Sequence, residues 1–167
     1  MFTPVVLELE RGWPGLVDGD AVVQLAAQTL VSFFTGGGQA RHHASYPLAD
    51  VRLLAPVLVP PSVRMFEDDG SFAFGNPAAI LGPDAVVSHP GAAVELRARI
   101  AAVIGLDGAA AGYTLLGDWR APALRPAKDR DFATSLGPLV VTADELGEEL
   151  VVRVDGEEAG RARVEVD

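Results

Sequence analysis

Cysteine is absent from the 167 residues. That excludes a disulfide framework, a thiolate metal centre and a cysteine nucleophile. Basic residues are also scarce, 13 lysines and arginines against 23 acidic residues, for a net charge of −10. An acidic chain is a poor partner for nucleic acid or an anionic membrane, both of which call for a basic surface. No apolar run approaches the ~20 residues that cross a bilayer. The N-terminus has no basic-then-apolar signal pattern. The expectation from these absences is a cytoplasmic protein without nucleic-acid or membrane partners.

What is present points to strands. Glycine (18) and proline (12) are plentiful and spread along the chain, which suits short strands joined by turns better than a helical bundle. Apolar residues at 49% are enough for a packed core in a chain of one-domain length. Residues 1–50 read as a small strand-helix region and 51–167 as the main unit. Val5 to Leu9 forms an expected strand, with a turn through Gly12, Pro14 and Gly15. Asp20 is an expected N-cap for a helix to about Phe34, ended by Gly36 to Gly38. That glycine run follows a helix and lacks a downstream Gly-Lys-Ser/Thr, so it is not a phosphate cradle.

Further strands are expected at Val51 to Val59 (an edge strand, because of Pro56 and Pro60-Pro61), Gly112 to Trp119, Leu139 to Thr142, Leu150 to Val154 and Arg161 to Val166. A hairpin loop of about six residues around Asp155-Gly156 joins the last two. Val94 to Ile104 alternates clearly. Val94, Leu96, Ala98 and Ile100 fall on one face, and Glu95, Arg97 and Arg99 on the other. His42 and His43 read as part of a solvated polar loop, since adjacent histidines rarely converge on one ion.

Three segments resemble the fumarylacetoacetate hydrolase family. Phe74-Gly75-Asn76-Pro77-Ala78-Ala79-Ile80-Leu81-Gly82-Pro83 is similar to its aromatic-x-Asn-Pro-Ala-Ala-x-x-Gly-Pro segment. Ala101 to Gly105, Ala111 to Thr114 and Asp118-Trp119 look like its central strand pair and acidic turn. Lys128 to Pro138, continued by Val141 to Leu146, resembles its Lys-x-Phe-x-Thr…Gly-Pro segment. The resemblance spans roughly residues 52–157. It implies a mixed α+β, mainly β fold of mixed sheets or a β-roll, with a small N-terminal helix-containing part. It also implies a homodimer, or a partner chain over the C-terminal strands. The family's closing Pro-Gly-Asp and Thr-Gly-Thr-Pro-like region is expected to be missing, because the sequence stops at Asp167.

The resemblance further implies a divalent cation held by four carboxylates and polarising a keto or enol acid, a hard-ion site of the magnesium or calcium type. At the matching positions this sequence carries Met65, Arg97, Arg99 and Asp118, so only Asp118 keeps a carboxylate. A thioether is a poor ligand for a hard cation, and each arginine inverts the charge. Arg130 stands at the family's lysine, Phe132 and Thr134 keep their places, and Lys128 lies two residues earlier. No histidine falls where many members carry a water-activating one. The expectation is therefore no metal and a non-catalytic role that binds a partner or ligand. One alternative is a metal-independent enzyme on a keto or enol acid, with Arg97, Arg99 and Lys128 holding a small carboxylate ligand and Asp118, Arg130 and Thr134 nearest the chemistry. The other is an orthodox hydrolase, decarboxylase or isomerase of β-diketo or keto acids using Mg2+ or Ca2+.

Overall fold

A computed structural model describes residues 2–6, 12–91 and 93–165. The first part is a five-stranded antiparallel sheet with one short helix. Its elements are β1 (Phe2–Val6), β2 (Gly12–Asp18), β3 (Ala21–Leu25), α1 (Leu30–Thr35), β4 (His42–Pro47) and β5 (Arg52–Leu53), in the sheet order β4-β3-β2-β1-β5.

The expected helix from Asp20 is corrected by this sheet. Residues 21–25 are a strand, and the helix begins only at Leu30. Gly19, at φ +56°, supplies the left-handed turn that folds β3 back on β2, and the β-branched pair Val22-Val23 suits a pleated strand. Thr29, rather than Asp20, caps the helix: its hydroxyl accepts from the Ser32 amide, and the Ser32 hydroxyl accepts from the Thr29 amide, a reciprocal capping box. The expected turn through Gly12, Pro14 and Gly15 is instead strand β2, and His42 and His43 open strand β4 rather than lying in a loop. Of the expected Val5 to Leu9 strand, Val5 and Val6 end β1 and residues 7–9 lie outside the described residues. The glycines at 36–38 do end the helix.

Three further sheets follow. β6 (Val63–Phe66) and β7 (Phe72–Gly75) form a two-stranded ribbon. β8 (Ile80–Leu81), β9 (Glu95–Ile104), β10 (Ala110–Arg120) and β11 (Thr134–Leu136) form a sheet ordered β8-β11-β10-β9, and β12 (Glu149–Val154) pairs with β13 (Glu157–Arg163). Only residues 52–53 of the expected 51–59 strand are extended, at the edge of the first sheet; the prolines remove the donors that the rest would need. Residues 139–142 make an isolated bridge, Tyr113 to Val141, in place of a strand. The β12–β13 turn is the two-residue Asp155-Gly156, not a six-residue loop. Its φ values of 52° and 85° fit the primed turn whose twist matches paired strands.

Period-2 alternation gives the central sheet two unlike faces. One carries Leu116 and Leu136, which pack with Ala55 and Met65 into a buried cluster flanked by Val63, Ile80 and Ala101. The ribbon β6–β7 therefore lies on this face and brings its turn to the charged end of β9 and β10.

Candidate functional site

The site is built where that turn meets the sheet. Asp118 on β10 pairs in register with Arg97 on β9 and with Thr134 on β11. Arg99 and Arg120, each two residues along its own strand, point to the same side. The turn Glu67-Asp68-Asp69-Gly70 closes through the Glu67 amide donating to Ser71 O at 2.8 Å. Counting by twos from buried Met65 places Glu67 over the same face.

Two guanidinium groups bridge the two carboxylates. Arg99 donates from Nε to Asp118 Oδ2 at 3.2 Å, from Nη2 to Glu67 Oε2 at 3.4 Å, and from Nη1 to the Phe66 carbonyl at 2.6 Å. Arg120 donates from Nε to Asp118 Oδ2 at 2.9 Å and from Nη2 to Glu67 Oε1. Arg130 reaches Glu67 Oε1 at 3.4 Å, and Arg97 stands 3.6 Å from Glu67 Oε2. Asp118 has no exposed surface, Arg120 and Arg130 are mostly covered, and Arg97 keeps 51% of its side chain exposed.

The electrostatics follow from these bonds. The Arg120 hydrogen bond, with help from Arg130 and Arg99, holds the Glu67 carboxyl at about 2, against an ordinary 4.5. Burial works against the Arg120 charge, but the bonds to Glu67 and Asp118 outweigh it and raise its pKa. Three buried side-chain oxygens have no hydrogen-bond partner: Asp118 Oδ1, Thr134 Oγ1 and Asp129 Oδ1, the last on the carboxylate whose Oδ2 lies 3.8 Å from Arg130 Nε.

A hard divalent cation needs about six oxygen ligands, several of them carboxylate. Here both Glu67 oxygens and Asp118 Oδ2 already face guanidinium groups, leaving Asp118 Oδ1 as the one open carboxylate oxygen of the pair. Among the described residues no group of three or more His, Cys, Asp or Glu side chains is placed to hold a metal ion. This donor set does not fit such a cation.

Of the residues singled out in the sequence, Arg97, Arg99, Asp118, Arg130 and Thr134 converge here. Lys128 does not: its side chain is exposed and pairs with Asp131 at 2.8 Å. Met65 is a core residue packed with Ala55, Leu116 and Leu136. Sequence reasoning missed Glu67 and Arg120, although alternation from Met65 and from Asp118 carries both signals. The Asn-Pro-Ala-Ala motif has a structural role. Asn76 accepts from the Ala78 amide at 3.0 Å and donates to the Asp131 carbonyl at 2.9 Å, tying the ribbon to the segment that delivers Arg130.

Comparison with known proteins agrees with this architecture. The fold matches maleylpyruvate hydrolase from Sphingobium sp. SYK-6 with a TM-score of 0.71 at 22% identity, covering 97% of this chain and 76% of that one. It matches the fumarylacetoacetate hydrolase of psychrophilic Exiguobacterium antarcticum with a TM-score of 0.78 at 20% identity, covering 98% and 75%. A 2-keto-3-deoxy-D-arabinonate dehydratase, solved with magnesium and 2,5-dioxopentanoate, gives 0.69 at 17% identity, covering 98% and 76%. The chain is thus a protein of the fumarylacetoacetate hydrolase fold, as the three motif segments imply. Within that class, residues 14–56 match the family model described as Rv2993c-like, N-terminal. The comparison with curated proteins returned no significant match. Among the described residues no helix is long and apolar enough to cross a membrane.

Proposed function

We propose that this protein uses the fumarylacetoacetate hydrolase fold to bind a small carboxylate through guanidinium groups, without a divalent cation and without the metal-dependent reaction. The carrying observation is the convergence of Arg97, Arg99, Arg120 and Arg130 on Glu67, with Asp118 beneath them. Arg120 and Asp118 set the positions of the other groups. Arg97 is the most exposed of the four and presents planar donors that match a carboxylate. Arg99 backs it from the same strand. A homodimer, or a partner chain over β12–β13, and a cytoplasmic location belong to the same proposal; light scattering on the purified protein checks the first.

The unpartnered Asp118 Oδ1 beside Thr134 favours a second reading, a metal-independent enzyme on a keto or enol acid, because that oxygen is an acceptor with no internal donor. One experiment addresses both. Melting temperature is followed with oxaloacetate or an acylpyruvate, and separately with millimolar Mg2+, Mn2+ and Ca2+. The acid is expected to raise it in the wild type and not in Arg97→Ala, while the metals leave it unchanged. Stabilisation by a metal overturns the proposal. Turnover of the acid in the presence of a chelator, lost in Asp118→Asn, selects the second reading.

A further inference from the structure

All four arginines of the cluster reach Glu67, each through one terminal nitrogen. Arg120 Nη2 and Arg130 Nη1 meet Oε1, and Arg97 Nη1 and Arg99 Nη2 meet Oε2. Each oxygen of one carboxylate thus faces two guanidinium groups, the arrangement that an incoming carboxylate would need. Three of the four arginines keep a second anchor that does not involve Glu67. Arg99 and Arg120 each donate from Nε to Asp118 Oδ2, Arg99 adds Nη1 to the Phe66 carbonyl, and Arg130 Nε stands 3.8 Å from Asp129 Oδ2. Those anchors remain when the Glu67 side chain withdraws, so its departure vacates a carboxylate position already lined by donors.

Of the two central carboxylates, Glu67 is the one placed to leave. Asp118 has no exposed surface, whereas Glu67 keeps 29% of its side chain exposed. It begins a turn that closes on itself. The Glu67 amide donates to Ser71 O at 2.8 Å, the Gly70 amide donates to the Glu67 carbonyl at 2.9 Å, and Asp69 Oδ1 accepts from the Ser71 amide and hydroxyl at 2.9 and 2.6 Å. None of these bonds uses the Glu67 carboxylate, so a change of its side-chain rotamer frees it without unmaking the turn. Withdrawal alone is costly, because Arg120 and Arg130 are mostly covered and would be left as charges short of a partner. Exchange for another carboxylate restores the pairing.

We propose that Glu67 is an internal latch: its carboxylate occupies the ligand position in the empty protein, and an acidic ligand binds by displacing it into solvent. The inference rests on the carboxylate reading of the arginine cluster and adds how that site is regulated. Asp118 stays in place in both states and holds Arg99 and Arg120 for either occupant. A site open in roughly 10% of molecules or fewer binds its ligand about tenfold or more weakly than the same site left open.

The test measures oxaloacetate binding to the intact protein by calorimetry, in the wild type, Glu67→Gln and Asp68→Asn. Glu67→Gln is expected to bind about tenfold or more tightly than the wild type, by removal of the internal competitor. Asp68→Asn removes a charge from the same turn, where Asp68 is exposed. It is expected to change the affinity by under about fivefold, the scale of one exposed charge. A crystal structure of the wild type with oxaloacetate is expected to show a ligand carboxylate among the four arginines and the Glu67 side chain turned outward. That structure decides alone if Glu67→Gln does not fold. Equal or weaker binding in Glu67→Gln, the same gain in Asp68→Asn, or a ligand seated beside an undisplaced Glu67 overturns the latch and leaves the carboxylate reading standing. No saturable binding to the wild type or to Glu67→Gln overturns both.

Discussion

Asp118 and Thr134 stand opposite one another in the β10–β11 ladder, both without exposed surface, and each keeps one oxygen that no partner reaches. A buried polar atom left unpaired costs about 1–3 kcal/mol. Thr134→Val preserves shape and removes one such atom, so it is expected to be neutral or to stabilise by up to about 1 kcal/mol in urea denaturation. Asp118→Ala does the reverse. It strips Arg99 and Arg120 of a shared partner and is expected to cost about 3–5 kcal/mol. A Thr134→Val variant that loses stability would show that the hydroxyl has a partner in solution.

Acid should weaken the fold through Glu67. Its carboxyl sits at about 2 in the folded chain against 4.5 ordinarily. A depressed acid pKa contributes stability that is complete above the unfolded value and disappears as pH falls through the folded one. The stability gap between wild type and Glu67→Gln is therefore expected to be constant near neutrality and to close between about pH 4.5 and about pH 2. Melting curves across that range check it; a gap independent of pH would mean that the arginines do not hold the ionised form.

Met65 separates packing from metal chemistry. It is 2% exposed among Ala55, Leu116 and Leu136. Met65→Leu conserves volume and is expected to cost under about 1.5 kcal/mol. Met65→Asp, which restores the carboxylate of the family resemblance, places a carboxylate among the apolar side chains of Ala55, Leu116 and Leu136. It is expected to abolish two-state unfolding at neutral pH, a loss readable by circular dichroism. Metal-dependent recovery of the Met65→Asp fold would revise the site.

Gly112 anchors β10 to the bridge at Val141. A Cβ there would lie 2.5 Å from Val140 Cγ1 and 2.7 Å from the Val141 carbonyl oxygen. The second contact is backbone and yields little. Gly112→Ala is expected to cost about 1–3 kcal/mol by overpacking, measured by chemical denaturation, whereas Gly160→Ala, with open space around it, is expected to change little.

The long paired strands were legible because their alternation is strong. β9 starts within one residue of its expected position and ends where expected, and its charged and apolar faces divide as the sequence implies. The start of the chain was not legible: Val22, Val23 and Leu25 satisfy a helical spacing as well as a strand, and only pairing with β2 and β4 decides between them. At the site, Arg97, Arg99 and Asp118 were readable from motif position. Glu67 was hidden because it lies in a short acidic turn that looks solvated on its own. Its importance comes from a ribbon docking on a sheet more than 30 residues away in sequence, as the Arg99 to Glu67 bond shows.

The two unlike faces of β9 constrain how this strand can change length. A side-chain period of two means that one residue inserted or deleted just before Arg97, with the pairing of Glu95 to Arg120 held, would turn both arginines to the face of Leu115 and present Leu96 and Ala98, or Ala98 and Ile100, to Glu67 and Asp118. Neither side could accept the exchange. Lineages of this chain are therefore expected to vary β9 by whole two-residue steps or at its Gly105 turn, leaving the parity of the strand untouched.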